Sequence, residues 1–340
     1  MSTSYEETVA AAEAVLRRAG VRGSATARYT PLSGGTYNTV VRIALDQGCD
    51  WVLKMPPSAA EGLTYERALL AGEVAFYESA ATALDVGVVP RVVHSETGDG
   101  AGTDPYLIMT ACPGTPWHEA ADSLEESERT DLRRELGQIV ARLHTVTGPG
   151  FGYPAEPWGP LAPTWREAFT AMTAAVLADA KRYAPWLPRP IGEIGAVLAA
   201  ASGVLDDVTR PALVHFDLWQ GNLLLAGEPG DRRVSGLIDG ERMFWGDPVA
   251  DFVSLALFAD MEDDTAFLAG YAHAGGAVVF DGSVRLRLAL YRTYLYLVML
   301  VEVEPRQAGE ADLAWARSHV GPQLVAALKD VESGLRGDCR

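Results

Sequence analysis

Apolar positions along this chain follow two periods, and the place where one gives way to the other divides it. The opening segment, MSTSYEETVAAAEAVLRRAG, reads as an amphipathic helix. Alternation then predicts strands over Ala25–Pro31, Thr39–Leu45 and Asp50–Met55, the first two joined by a glycine hairpin, LSGGTYN, at Leu32–Asn38. A long helix over Leu63–Ala83 would pack Leu70, Val74 and Tyr77 against that sheet. Strands at Arg91–Ser95 and Tyr106–Thr110, with GDGAGTD as a surface loop between them, bring the sheet to five. At TACPGTPW, Thr110–Trp117, all periodicity stops, because Pro113, Gly114 and Pro116 cannot continue a strand or a helix. Residues 1–112 and 113–340 are therefore the expected domains.

Beyond the boundary the helical period dominates. Helices are predicted over Leu124–Val146, Trp165 to about Tyr183, Ile191–Leu205, Ala250–Ala259, Ala266–Ala272, from Val284, and Leu313–Leu335. A Pro/Gly/aromatic loop, TGPGFGYPAEPWGPLAPTW, separates the first two, and its aromatics could line a pocket. Amid these helices, Leu223–Ala226 and Val234–Ile238 form a strand pair around GEPGD. The Tyr and Met stripe of the helix from Val284 reads as core. His144, near the end of its helix, reads as a packed or capping residue.

Composition narrows the function classes. At 340 residues with 48% hydrophobic content, the chain can build a substantial core. No apolar run approaches the roughly 20 residues of a membrane span, and no signal-peptide pattern opens the sequence, so no membrane partner and a cytoplasmic location are expected. Cys49, Cys112 and Cys339 are widely spaced, without clustered His, and are expected to be reduced thiols. A formal charge of −17 argues against a nucleic-acid partner. It aids solubility, and could also attract a cationic small molecule. The acidic run Asp260, Glu262, Asp263 and Asp264 reads as a solvated face or as an ammonium site.

Against that background only three lysines occur, Lys54, Lys181 and Lys329. Lys54 closes a strand in WVLK, where its ammonium can reach beneath the glycine turn to bridge two phosphates. Gly34 and Gly35 in that turn allow close approach of a ligand to backbone N–H groups. A buried ammonium needs a carboxylate. Glu73, in the apolar string GEVAFYESA, suits a packed site better than its rival Glu66. The connector could offer main-chain groups of Thr110, Ala111 or Cys112 to an adenine. In VHFDLWQGN, Asp217 and Asn222 follow the apolar run Ala212–Val214, so Asp217 can face a substrate hydroxyl and Asn222 a metal ion. Asp239, at the end of a strand, adds the hard oxygen that Mg2+ requires. Trp219 reads equally as packing or as pocket wall.

Taken in order, SGGTYNTV, Lys54, the EVAFY of Glu73, the helix ending ARLH, VHFDLWQGN and LIDGERMFWGDPVADF make the chain resemble the aminoglycoside phosphotransferase and choline kinase group of small-molecule kinases. The resemblance spans about Pro31 to Phe252. It implies an α+β, two-lobed protein-kinase-like fold, with a five-stranded antiparallel sheet and one long helix in the first lobe and a mainly helical second lobe. It also implies that Ser33, Gly34, Gly35, Thr36, Lys54, Glu73, Thr110 and Cys112 serve a nucleotide. Lys54 would bind the α- and β-phosphates, Glu73 would fix Lys54, Asp217 would orient the attacking hydroxyl, and Asn222 and Asp239 would hold Mg2+. Asp247 and Asp251 would support the catalytic loop.

The chain also departs from the protein-kinase pattern. Phe216 stands where protein kinases carry Arg, and Gly240-Glu241 follows Asp239 in place of Phe-Gly. Too few residues separate Asp239 from Gly246-Asp247-Pro248 for a phosphorylation-regulated segment, which favours a small hydroxylated acceptor over a protein. The turn lacks a full GxGxxG, leaving ATP or GTP as the donor. The expected activity is phosphorylation of a cationic or sugar-like small molecule such as an aminoglycoside or peptide antibiotic. Its alternatives are a metabolic kinase for choline, a sugar or an amino-sugar intermediate, and a catalytically silent nucleotide-binding protein.

Overall fold

A computed structural model describes residues 5–21, 27–32, 38–45, 50–57, 62–97, 104–154 and 159–337. The glycine turn with Ser33, Gly34, Gly35 and Thr36 lies outside the described residues, as do Cys49, Cys339, the first two positions of the strand expected from Ala25, and most of the GDGAGTD loop.

In chain order the elements are α1 (Tyr5–Arg18), β1 (Arg28–Leu32), β2 (Thr39–Ala44), β3 (Asp50–Met55), α2 (Leu69–Ala80), β4 (Val92–Glu96), β5 (Tyr106–Thr110), β6 (Thr115–Pro116), α3 (Trp117–Ala120) and α4 (Glu126–Leu143). There follow α5 (Trp165–Tyr183), α6 (Ile191–Ala201), β7 (Ala212–Val214), β8 (Leu223–Ala226), β9 (Arg233–Leu237), β10 (Phe244–Gly246), α7 (Asp251–Leu255), α8 (Thr265–His273), α9 (Gly282–Val301), α10 (Glu310–Trp315) and α11 (Gly321–Leu335). The class is α+β. One antiparallel sheet runs β1-β2-β3-β5-β4, and most of the remaining chain is helical.

The strand period decides which residues reach the site. Val41, Ile43, Leu53 and Ile108 point to one face of the sheet, where Ala12, Val15 and Leu16 of α1 cover them. Their neighbours Val40, Val52 and Lys54 fall on the other face, which lines a cleft. Leu107 and Met109 on that face join the larger core shared with α2 and the helical part of the chain. That core is aromatic at its centre: Trp165 packs on Phe244 and Phe169, and Phe216 on Phe244 and Tyr294. The expected core stripe of the helix from Val284 is buried here, with Tyr291, Tyr294 and Tyr296 all under cover.

Several boundaries move for identifiable reasons. The helix expected over Leu63–Ala83 begins as a 3-10 segment, Thr64–Ala68, before α2. Thr64 is tied to Asp179 of α5 through its backbone N–H at 2.7 Å, and the Glu66 carboxylate turns back to accept the Leu63 N–H at 2.7 Å. The helix expected over Ile191–Leu205 leaves α form at Ala201 and finishes as a 3-10 segment through Asp207. The one expected over Ala250–Ala259 shortens to α7, because Ala256 leaves helical geometry at φ −116°, ψ 48°, and Phe258 beyond it is left-handed with φ 63°. Leu313–Leu335 is interrupted by a π-helical stretch over Ala316–Val320, just ahead of Pro322, whose missing N–H removes one helical bond. The connector also carries more structure than its composition predicts: Thr115 and Pro116 pair with Leu225 and Leu224.

Candidate active site

At the Lys54 end of the cleft, α2 meets the segment after β9 so closely that neither tolerates a larger residue. A Cβ on Gly240 would stand 2.2 Å from the Phe76 ring, and one on Gly72 would stand 2.9 Å from the Glu241 carbonyl oxygen. This contact delivers Glu73 into the site. The Lys54 ammonium lies 2.8 Å from both Glu73 carboxylate oxygens, and both side chains are buried. Lys54 also bonds Asp239 and lies 3.7 Å from Glu241. Glu66, the rival partner, is engaged by Arg306 at 3.1 Å.

Two side chains complete this end. The Tyr77 hydroxyl donates to Glu73 at 2.6 Å and accepts the Asp239 N–H at 3.0 Å, so it joins α2 to the backbone that carries Asp239. Asp239 itself is left-handed, with φ 64°. Asn38 donates to Glu241 at 2.9 Å. Burial would depress the Lys54 ammonium, but Asp239, Glu73 and Glu241 outweigh it and hold its pKa well above the ordinary value. Burial and the neighbouring Asp239 charge push the Glu241 carboxyl up to about 8. Glu73, Asp239 and Glu241 bring oxygens within 4.8 Å of one another. Of these, Glu73 is taken up by Lys54 and Glu241 is shifted toward its neutral form, so Asp239, which lines the cleft, is the hard oxygen that fits a divalent cation.

The loop after β7 is held from beneath. Asp251 accepts the N–H groups of His215 at 3.2 Å and Phe216 at 2.6 Å, and it bonds His144 Nε2 at 2.9 Å. His144 is buried against Tyr271, in keeping with its expected packed role. Ser254 Oγ accepts the Leu218 N–H at 2.9 Å. These bonds hold Phe216 at φ 65° and bury its ring, where an Arg would have had to find a charge partner. Asp247 acts elsewhere: it accepts from the Tyr291 hydroxyl at 2.7 Å and from Arg287, and so anchors α9. The Asn222 side-chain amide donates to the Asp217 carbonyl at 2.8 Å and carboxylate at 3.1 Å, while the Asn222 backbone carbonyl accepts the Ile238 N–H at 3.0 Å. The β8–β9 pairing thus places Asp217, Asn222 and Asp239 at neighbouring strand ends.

Lys54, Asp217, Asn222, Asp239, Thr110 and Cys112 all line one cleft of about 1020 Å³. Glu73 stands behind Lys54, wholly buried. At the connector, the Thr110 N–H is bonded to the Arg91 carbonyl and the Ala111 N–H to the Asp50 carbonyl, each at 2.9 Å. Burial pushes the Cys112 thiol up to about 11.

Sequence reasoning missed a charged ladder. Arg242 lies 3.8 Å from the Asp217 carboxylate and 3.0 Å from Glu302, Arg306 lies 3.1 Å from Glu302, and Glu66 closes the series. Burial tends to raise the Asp217 pKa, and the Arg242 charge opposes it. Arg242 follows Asp239 by three positions, a signal the sequence did offer. Glu302 and Arg306, far along the chain, offered none. The acidic run turns outward to arginines: Asp260 to Arg292 at 3.2 Å, Glu262 to Arg285 at 2.8 Å and Asp264 to Arg133 at 2.6 Å.

A lysine–glutamate pair behind a sheet, facing two acids and an amide on strand-end loops across a cleft, defines a kinase-like phosphotransferase. The chain matches the profile of the phosphotransferase enzyme family, APH, over residues 28–291, and it belongs to that family and is a kinase-type enzyme. It is 26% identical over 215 residues to viomycin phosphotransferase of Streptomyces vinaceus, covering 61% of this chain and 71% of that protein. Among solved structures it resembles a thermostable mutant of aminoglycoside phosphotransferase APH(4)-Ia in ternary complex with ADP and hygromycin B, with TM-score 0.59, 19% identity and coverage of 94% and 97% of the two chains. It also resembles the macrolide 2'-phosphotransferase of Brachybacterium faecium, with TM-score 0.56, 20% identity and coverage of 92% and 97%. Among the described residues, no helix is long and apolar enough to cross a membrane.

Proposed function

We propose that the protein transfers the γ-phosphoryl group of ATP to a hydroxyl of a small molecule in the cytoplasm, with residues 1–112 and 113–340 as the two lobes. The carrying observation is that Lys54, locked to Glu73, and Asp217 open onto the same cleft. Lys54 and the turn at 33–36 would grip the phosphates, and the purine would lie between Val40, Val52 and Leu224. Because the Thr110 and Ala111 amides are already engaged, the Cys112 N–H is the connector donor available to the base, with the Thr110 carbonyl as acceptor. The same backbone edge could take guanine, so GTP is the alternative donor.

Asp239 and Asn222 would hold Mg2+, which when bound offsets phosphate charge. Asn222 would present its amide oxygen to the ion while its N–H groups keep Asp217 in place. Asp217 then orients the acceptor hydroxyl and takes its proton late, since phosphoryl transfer has a loose transition state in which positioning matters more than basicity. The relatives are named for viomycin, macrolide and aminoglycoside substrates, and this supports a small hydroxylated acceptor of the antibiotic kind. The test is Asp217→Ala. Turnover should fall by about 100-fold or more, while nucleotide binding measured by calorimetry largely survives. A variant with wild-type kcat would sink the assignment.

A further inference from the structure

Resting on the phosphotransferase reading, we propose that the acceptor is an alcohol carried on a largely apolar body, seated against Phe258, Trp315, Leu295 and Met299, and is not a densely charged polycation. This replaces the cationic acceptor suggested by the net charge of −17.

The acceptor half of the cleft, beyond Asp217, is walled by large apolar side chains that stay open to solvent. Phe258 is 36% exposed and Trp315 45%, although both belong to one packed group: Phe258 stacks on Tyr296 with centroids 5.8 Å apart, and Trp315 meets Phe258 edge-on at 6.1 Å. Trp219, 41% exposed, stacks on His118 at 5.5 Å and also lines the cleft. Exposed rings gathered in a concave surface that ends at a catalytic carboxylate are a ligand-facing feature, unlike the same rings scattered over a convex one. Phe258 also holds a left-handed φ of 63°, a conformation that disfavours a residue with a Cβ, so the ring is placed there against backbone preference.

The charges point the same way. Binding several ammonium groups needs carboxylates free to pair with them. Here Glu302 is shared between Arg242 and Arg306, Glu66 is held by Arg306, and the acidic run from Asp260 to Asp264 faces Arg292, Arg285 and Arg133. Arg242 and Arg306 line the cleft themselves and would repel a cation. Glu119, which makes no ion pair among the described residues, lines the cleft from α3, the helix that follows the connector. The acidity of the chain is thus not concentrated where the acceptor sits.

The experiment titrates the whole chain, loaded with Mg2+ and a non-hydrolysable ATP analogue, with erythromycin, a largely apolar macrolactone bearing a single amine, and with kanamycin B, a polyamino sugar, by calorimetry at several temperatures. Erythromycin should bind about tenfold tighter or more, with a negative heat-capacity change. Phe258→Gly removes the ring and suits the positive φ, so the fold is kept. It should weaken erythromycin by about tenfold, with Trp315→Ala as the second variant. Tighter binding of kanamycin B, no binding of either compound to nucleotide-loaded protein, or erythromycin affinity untouched by both variants would overturn the proposal. Failure of the nucleotide itself to bind would instead bring down the phosphotransferase reading on which it rests.

Discussion

The two ends of the cleft treat charge in opposite ways. Around Lys54 there are three carboxylates to one ammonium, and one of them, Glu241, is pushed up to about 8 by burial and Asp239. On the far side of Asp217 the charges alternate, Arg242, Glu302, Arg306, Glu66, and each is satisfied by the next. The first end carries more acid than base, and under the proposed function a Mg2+-nucleotide would complete it. The second is closed on itself, which under the proposal above leaves selectivity to shape and apolar contact. Asp217 stands at the junction, 3.8 Å from Arg242 and bonded to Asn222.

The sharpest way to break this contrast is Lys54→Met, which leaves three buried or half-buried acids without their cation. Removing one member of a buried pair costs about 3–5 kcal/mol, so urea denaturation should show a loss of that size, and nucleotide binding should vanish with it. An unchanged midpoint would mean that the acids are not held against Lys54. Asp251→Ala comes next. It orphans the N–H groups of His215 and Phe216 and leaves His144 Nε2 without its acceptor, while Nδ1 keeps Tyr271, at about 1–3 kcal/mol for each orphaned group. Stability and kcat should both fall, and Asp251→Asn should recover part of each. Loss of kcat without loss of stability would assign Asp251 to chemistry and not to loop support.

How far the sequence reveals this arrangement depends on whether the signal is local. Lys54 stood out because lysine is rare in the chain, and Glu73 because apolar neighbours surround it, so their pairing could be anticipated. Both follow from strand and helix periods that survive folding intact. The five-stranded sheet and helical remainder were legible for the same reason. The ladder was not, because Glu66, Arg242, Glu302 and Arg306 come from four separate stretches, and nothing in their neighbourhoods marks them as partners. The acidic run misled in the opposite direction: it is conspicuous in sequence, yet arginines of α4 and α9 neutralise most of it. Tyr77 was legible only as a packing residue, since burial predicts its ring and says nothing about its hydroxyl.

That hydroxyl gives the smallest and most discriminating test. In Tyr77→Phe the ring and its packing remain, but Glu73 loses a donor at 2.6 Å and the Asp239 N–H loses its acceptor at 3.0 Å. One hydrogen bond to a charged group is worth about 1.5–3 kcal/mol, so the affinity for Mg2+-nucleotide should fall by roughly 10-fold or somewhat more. The acceptor end shares no atom with this bridge, and the KM for the acceptor should stay close to wild type. Phe258→Gly should produce the mirror result, with acceptor KM raised and nucleotide affinity kept. If Tyr77→Phe instead moves both constants together, the two ends are coupled through Asp239 and the Arg242 segment that follows it, and the closed ladder is part of the phosphate site rather than a wall beside it.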